Sequence, residues 1–499
     1  MLPRSPLFSR SLALAAALLA ACTQVPESAR GTVKLAECRI PGLERVAMCG
    51  NHEVWENRAS RSGRRIAIRI AVIPARRRGA ESDPLVVLAG GPGQGAIALA
   101  PQVLPLFTRL IDTRDLVLID QRGTGGSHPL DCEADEGGSL QSMFEDSLPE
   151  KMVRDCLATL DADPRQYATT TAAADLDEVL AALGYAKVNL WGGSYGTRLA
   201  LEFMRRHPGR VRTATLDGAA PMDMKLPFSF VADGEAAFDR LVADCAADAS
   251  CRAAYPDLRR DVGAMRARLA KQPRRATITD PVTGEPQPVR VTENVLLSGL
   301  FRPLYAAELA SLLPLAITRA ADGDFNPLLA QNLEFTQDMA DNLAVGMHLS
   351  VVCSEDVPRI TPEDLVQAAR GFFGRVLIDD FIRACRHWPR AEIPADFYQP
   401  VRSQAPVLIL SGGIDPATPP RHGAAVAATL PNSRHAVAAN ISHGVSTRGC
   451  APRLIEKFVR QGEAKSLDVA CLSRIPRPLF VLPVGASPGK PLRDRGGRP

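Results

Sequence analysis

Val188–Arg198, read as VNLWGGSYGTR, is the stretch that decides the fold. An apolar run of strand character, Val188–Trp191, ends in Gly192-Gly193-Ser194-Tyr195-Gly196, and a helical pattern over Thr197–Arg206 follows at once. This is G-x-S-x-G between a strand and a helix, the setting of a nucleophile elbow. Glycine two residues before and two after the serine lets the backbones approach in a tight, strained turn. The turn lifts the Ser194 hydroxyl out of the sheet, where an imidazole can reach it. Glycine and serine are common, so the bare motif says little; its position between strand and helix, and the partners found elsewhere in the chain, give it weight.

An activated serine needs an oxyanion hole, a base and an acid. Leu85–Ala89 is a buried-strand run that ends in Gly90-Gly91-Pro92-Gly93-Gln94-Gly95. Such a loop lets a backbone N–H face a developing oxyanion with no side chain in the way. Gly91 is the expected donor, with Gly90 and Gly93 as alternatives, and the N–H of Tyr195 is the second. No G-K-[ST] follows, which argues against a phosphate-binding loop. The acid and base are expected downstream, in the order Ser, Asp, His. Pro406–Leu410 reads as a further buried strand that runs into Ser411-Gly412-Gly413-Ile414-Asp415-Pro416, and Ser442-His443-Gly444 lies in a loop after the strand-like His435–Asn440. Asp415 is therefore the expected acid and His443 the base, with Asp217, at the end of the preceding strand, as the rival acid. His422 begins a helical run, Arg421–Leu430, and reads as a residue that caps or lines the site. His52, His128, His207, His348, His387 and His435 lack such placement and read as surface or packing residues.

The order of elements gives the architecture. Strand-like runs occur at Ile66–Ile73, Leu85–Leu88, Leu116–Ile119, Val188–Trp191, Thr213–Leu216, Val407–Leu410 and His435–Ala438, with helical patterns at Ala172–Leu183, Thr197–Arg206 and Pro452–Gln461. Alternating strands and helices imply an α/β class, a mostly parallel, doubly wound sheet with ligands at the carboxyl ends of its strands. The long stretch between Asp217 and Val407 exceeds any loop. Its helical runs, Gly234–Asp248, Asp257–Lys271, Ala306–Ala321 and Glu363–Phe373, read as an inserted, mainly helical cap. The expected organisation is a leader at 1–21, a first core segment at 22–219, the cap at 220–404, a second core segment at 405–480 and a disordered tail at 481–499.

The chain has 499 residues, 46% of them hydrophobic and 23% charged, so it can bury a large core. A net charge of +4 is small for this length and argues against a nucleic-acid binder. Arg4 and Arg10 precede Leu12–Ala21, an apolar stretch too short to span a bilayer. Leu19-Ala20-Ala21-Cys22 resembles a bacterial lipobox, which makes Cys22 the expected lipidation site and membrane anchor, with an ordinary secretory signal as the alternative. An envelope location is expected, on the outer membrane facing the periplasm if the cell has two membranes; secreted or soluble periplasmic protein is the other possibility. Besides Cys22, ten cysteines remain. Their grouping suggests the pairs Cys38–Cys49, Cys132–Cys156, Cys245–Cys251, Cys353–Cys385 and Cys450–Cys471, although sequence leaves connectivity open. No C-x-x-C pair or H-E-x-x-H suggests a metal, and no cofactor is expected.

These motifs together resemble the α/β-hydrolases of the proline iminopeptidase and tripeptidyl aminopeptidase family. The resemblance rests on GGPG at Gly90–Gly93, DQRGTGGS at Asp120–Ser127, GGSYG at Gly192–Gly196, GGIDPATPP at Gly412–Pro420 and SHG at Ser442–Gly444, and runs from about Ala36 to Cys471. Ala89 stands where the iminopeptidases usually carry His, a change that the secreted tripeptidyl branch tolerates. Asp120 and Arg122 read as a buried opposite-charge pair that braces the loops around the site. The resemblance implies an α/β-hydrolase fold and an acyl-enzyme on Ser194, and its tripeptidyl branch has cysteines similar to Cys353–Cys385 and Cys450–Cys471. It also implies release of short N-terminal peptides or of proline, with a peptide or small acyl group as the substrate. An exopeptidase needs a carboxylate for the free α-amine. The Cys-x-Glu segment makes Glu355 the expected one, with Asp356 second. A carboxylesterase on the same scaffold is the alternative, and a non-catalytic envelope lipoprotein is a third reading.

Overall fold

Strands buried on both faces read as unbroken apolar runs, and four-residue runs of this kind form the centre of the molecule. A computed structural model describes residues 28–77, 79–132, 140–145, 148–280 and 283–483. The leader at 1–21, Cys22 and the stretch 485–499 lie outside the described residues. Among the described residues ten strands form one sheet: β1 (Ser28–Arg30), β2 (Val33–Cys38), β3 (Ala47–Trp55), β4 (Arg65–Ile73), β5 (Leu85–Leu88), β6 (Leu116–Ile119), β7 (Val188–Gly193), β8 (Val211–Asp217), β11 (Val407–Gly412) and β12 (Ser433–Ala438). Strands β9 (Arg274–Thr279) and β10 (Pro286–Val291) make a separate hairpin. The sheet order is β1-β2-β3-β4-β6-β5-β7-β8-β11-β12. Pairing is antiparallel from β1 to β4 and between β4 and β6, and parallel from β6 onward.

Alternate residues of the central strands feed two cores. Val86, Leu88, Val117 and Ile119 face Leu176, Val179, Leu199 and Phe203, on the helices Thr169–Ala182 and Tyr195–Arg206. Leu85, Val87, Leu116 and Leu118 face the opposite layer, which includes Leu454, Ile455 and Phe458 of helix Ala451–Gln461. The sheet is thus covered on both sides, as parallel strands require.

Between β8 and β11 the chain forms the helices Ser229–Ala247, Leu258–Lys271, Glu293–Phe301, Leu313–Ala321 and Asn326–Asn342 together with the β9–β10 hairpin. These elements have their own apolar cluster, with Phe238, Leu241, Val262, Leu296, Leu300 and Ile317 at its centre and Ile278 and Val289 from the hairpin. The run expected as one helix over Ala306–Ala321 is two, Ala307–Ala310 and Leu313–Ala321, with Pro314 in the first turn of the second. Phe480 and Leu482 also pack on this cluster, and the Val481 N–H donates to the Ser311 carbonyl, so the chain is seated on the insertion at the start of the stretch expected as a loose tail. Disulfides join Cys38–Cys49, Cys132–Cys156, Cys245–Cys251, Cys353–Cys385 and Cys450–Cys471.

Asp120 and Arg122 do not pair with each other. The Asp120 carboxylate accepts the N–H groups of Ile97 and Gly126, at 2.8 and 2.9 Å. Arg122 is fully buried and donates to both oxygens of Asp175, at 2.5 and 2.8 Å, and to the carbonyls of Glu56, Gln166 and Trp55. One guanidinium therefore ties the β3–β4 turn to helix Thr169–Ala182. Arg122→Met is expected to destabilise the fold by about 3–5 kcal/mol, because it leaves a buried carboxylate and three carbonyls without that donor. The midpoint of denaturant unfolding with disulfides intact measures this, and a midpoint unchanged from the parent would remove Arg122 from the framework.

Candidate active site

Ser194 sits at φ 54°, ψ −124°, between β7 and helix Tyr195–Arg206. The flanking glycines are obligatory on contact grounds. A Cβ on Gly192 would lie 2.5 Å from the Gly196 carbonyl oxygen, and one on Gly196 would lie 2.1 Å from that of Leu88. The Ser194 N–H donates to the Asp217 carbonyl at 2.8 Å, which holds the elbow to β8. Tyr195 opens the helix, where first-turn N–H groups have no intrahelical acceptor. Gly91 follows β5 at φ 105° and lines the same cavity as Ser194 and His443.

Asp415 and His443 come from consecutive strand ends of the sheet, after β11 and β12. His443 Nδ1 and Asp415 Oδ2 are 2.8 Å apart. An ionised carboxylate only accepts, so Nδ1 carries the proton and Nε2 is left as the base. The other carboxylate oxygen accepts the N–H groups of Ala417 and Thr418, and the Thr418 hydroxyl donates to Oδ2 at 2.8 Å. Burial alone would raise the Asp415 carboxyl; the charge and hydrogen bond of His443 and the two N–H donors hold it below the ordinary carboxylate value. Burial would likewise lower His443, but the charge and bond of Asp415, with the charge of Asp217, raise it. The inserted segment also grips the histidine loop: the His443 N–H donates to the Tyr305 carbonyl, and the Tyr305 ring meets the imidazole edge-on at 5.3 Å. Asp217, the rival acid, spends its carboxylate on the N–H groups of Val445 and Ser446, while Asp415 holds Nδ1.

Glu355 does not reach the cavity. It is fully buried beneath the nucleophile helix, where it accepts the N–H and hydroxyl of Thr169 at 2.7 and 2.9 Å and lies 3.6 Å from Arg198. Burial pushes its carboxyl up to about 7; Arg198 opposes the rise and Asp356 adds to it. Asp356 takes Arg198 at 2.9 Å. Both carboxylates are thus committed inside the protein, which corrects the expected role of Glu355 at the substrate amine. Asp380, on helix Asp379–Ala384, is among the residues that line the cavity, and its carboxylate pairs with Arg383. Cys353–Cys385 links that helix to the turn Val352–Asp356, so two parts of the cavity wall are cross-linked.

The cavity has a volume of about 440 Å³, and its wall is largely apolar, with Phe230, Phe301, Leu349, Val352 and Phe381 prominent. His348, expected as a packing residue, also lines it, with Nδ1 2.9 Å from the Pro92 carbonyl oxygen. His422 is buried against Asp233, which also takes Arg421. Thr418 belongs to the site although it is not among the expected site residues; a threonine three residues after an acid that leaves a strand is a local side-chain-to-backbone turn signal.

A model described as alpha/beta hydrolase fold matches residues 83–286, and one described as TAP-like protein matches 370–471. Serine protease Hip1 of Mycobacterium tuberculosis is 26% identical over 435 residues, covering 80% of this chain and 81% of that protein. Proline iminopeptidase of Neisseria gonorrhoeae is 31% identical over 135 residues, 27% of this chain and 32% of that one. Tripeptidyl aminopeptidase of Streptomyces lividans is 26% identical over 232 residues, 42% and 43% of the two chains. With the parallel sheet, the elbow at the end of β7 and these two matches, the chain has the α/β-hydrolase fold, with an alpha/beta hydrolase domain over residues 83–286 and a TAP-like one over 370–471.

Proposed function

We propose that this α/β hydrolase is a serine peptidase that cleaves near a free N-terminus, releasing a short peptide or an N-terminal proline through an acyl-enzyme on Ser194. The observation that carries this reading is the shared cavity: Ser194, His443 and Gly91 open into one largely apolar chamber whose wall includes Asp380. His443 Nε2 takes the Ser194 proton as Oγ attacks the carbonyl carbon, and the oxyanion is held by the N–H groups of Gly91 and Tyr195. His443 then returns the proton to the leaving amine. Water, deprotonated by the same nitrogen, cleaves the ester and regenerates the serine. Asp415 fixes the imidazole tautomer and stabilises its charged form. Asp380 is the anchor for the α-ammonium, and the apolar wall takes the side chains that follow.

The five disulfides among the described residues and the similarity to Hip1 support an extracytoplasmic or secreted protein. Among the described residues no helix is long and apolar enough to cross a membrane. The lipobox-like Cys22 supports a lipid anchor in the cell envelope.

The test is a panel of mono- to tripeptidyl chromogenic amides, their N-acetylated forms and short acyl esters. Free-amine amides are expected to turn over and acetylated ones to fail. Asp380→Asn is expected to lower kcat/KM for free-amine substrates by about 10²-fold, chiefly through KM, and to leave esters unchanged, since only the former lose an ion pair. Turnover of esters alone would replace the peptidase reading with a carboxylesterase on the same serine. Equal loss on both substrate classes would place Asp380 in the framework rather than at the amine.

A further inference from the structure

Asp217 is bound to both halves of the machinery at once. Its main-chain carbonyl accepts the Ser194 N–H at 2.8 Å. Its carboxylate accepts the N–H groups of Val445 at 2.9 Å and Ser446 at 2.6 Å, immediately past His443-Gly444. The Ser446 hydroxyl bonds the same carboxylate and in turn accepts Trp191 Nε1–H, from β7, at 3.0 Å. The bracing has a reason. Gly444 sits at φ 85°, and a Cβ there would touch nothing within 4 Å, so the backbone beside His443 has no side chain to steady it. On the other side packing is tight: a Cβ on Gly218 would lie 2.7 Å from Thr418 Oγ1 and 3.2 Å from His443 Cε1.

We propose that Asp217 is a positioning residue that sets the register of His443 against Ser194: its carbonyl fixes the nucleophile's amide, and its carboxylate pins the loop beyond the glycine hinge. This rests on the Ser194–His443–Asp415 reading above. A carboxylate in this place also contributes charge. His443 faces Asp415 from the loop after β11, Asp217 from the end of β8, the Thr418 hydroxyl, and the Tyr305 ring from the insertion. Removing one of the two negative groups weakens the hold on the imidazolium, so the base form persists to lower pH.

The experiment is the rate at which a fluorophosphonate labels Ser194, measured against pH, for the parent, Asp217→Asn and Ser446→Ala. Labelling needs no knowledge of the natural substrate. Asp217→Asn is expected to slow labelling by about 10²-fold, the scale of a small misplacement of reacting groups, and to move the acid limb of the profile to lower pH. Ser446→Ala keeps the Asp217 charge and removes one donor that holds its carboxylate, so a smaller slowing with the limb in place is expected; if the Asn variant does not fold, labelling of Ser446→Ala at the parent rate overturns the proposal. For Asp217→Asn, a parent-like rate and limb overturn the proposal, and so does a slower rate with an unmoved limb, which would be simple loss of structure. A parent enzyme that is not labelled overturns instead the triad on which the proposal rests.

Discussion

Ser194→Ala is expected to lower kcat by about 10⁶-fold while KM stays near that of the parent. The split follows from the site's construction. The cavity wall that holds the substrate is apolar and comes mainly from the inserted segment, whereas the Ser194 hydroxyl contributes only once it attacks. His443→Ala is expected to cost about as much, and the double variant no more than either alone, because a serine without its base and a base without its serine are equally idle. What rate remains comes from the N–H donors and from holding the substrate, about 10³–10⁴-fold over water. Steady-state kinetics of the three variants on the best amide of the panel measures this, with fluorophosphonate labelling as a count of competent serine. A Ser194→Ala enzyme as active as its parent would remove the elbow from the mechanism. Multiplicative losses in the double variant would show that the two residues act separately.

The parts of this site that could be read from sequence are those whose geometry is local. Leu85–Leu88 and Leu116–Ile119 are strands at the residues expected, because a strand buried on both faces leaves no polar residue to blur its ends. The elbow and the acid after β11 each follow from a strand that stops in a glycine-rich turn, and the histidine from its place in the loop after β12, downstream of both. Strands β2 and β3 were not legible: Val33–Cys38 and Ala47–Trp55 mix Lys, Glu, Asn and His with apolar residues, since one face of this antiparallel flank is open to solvent. The β9–β10 hairpin was hidden for a similar reason. Its two strands bury only Ile278, Val289 and Val291, and Pro286 and Pro288 lie in the second, so no strand stood out in an insertion that reads as mainly helical.

Glu355 shows where local reading ends. An acidic pair beside a cysteine looks available for a ligand, yet Arg198, on the nucleophile helix, is fully buried and requires acidic partners. That arginine, on the buried face of the nucleophile helix, was the signal that Glu355 and Asp356 are spent internally. Asp380 gave no such signal. It reaches the cavity because the insertion folds back and Cys353–Cys385 joins its two segments, a contact set by tertiary structure alone.

Asp415→Asn is expected to lower kcat by about 10⁴-fold with the fold intact, and the hydrogen bonds around it dictate why. Asp415 Oδ1 accepts two backbone N–H groups, from Ala417 at 2.8 Å and Thr418 at 2.9 Å. An asparagine must keep its carbonyl oxygen there, because its NH₂ would meet two donors. The NH₂ is then forced into the place of Oδ2, facing His443 Nδ1. An amide donor cannot receive Nδ1–H, so the imidazole shifts its proton to Nε2 and presents Nδ1 as the acceptor. Nε2–H cannot take the serine proton, and the enzyme holds its base in the wrong tautomer. The lost negative charge also releases the hold on the imidazolium, so the acid limb of the residual activity moves to lower pH. Stability changes in a defined window too. The Asp415 carboxyl is depressed in the folded protein, so its contribution is present at neutral pH and is lost as pH falls through the folded value. The variant is therefore expected to be less stable than its parent at neutral pH, with the gap closing in acid. Thr418→Val sets the scale by comparison: it removes one hydroxyl from Oδ2 but leaves the charge, both N–H donors and the tautomer in place, so its effect on kcat is expected to be far smaller. Similar losses in the two variants would mean that the tautomer of His443 is set by something other than Asp415.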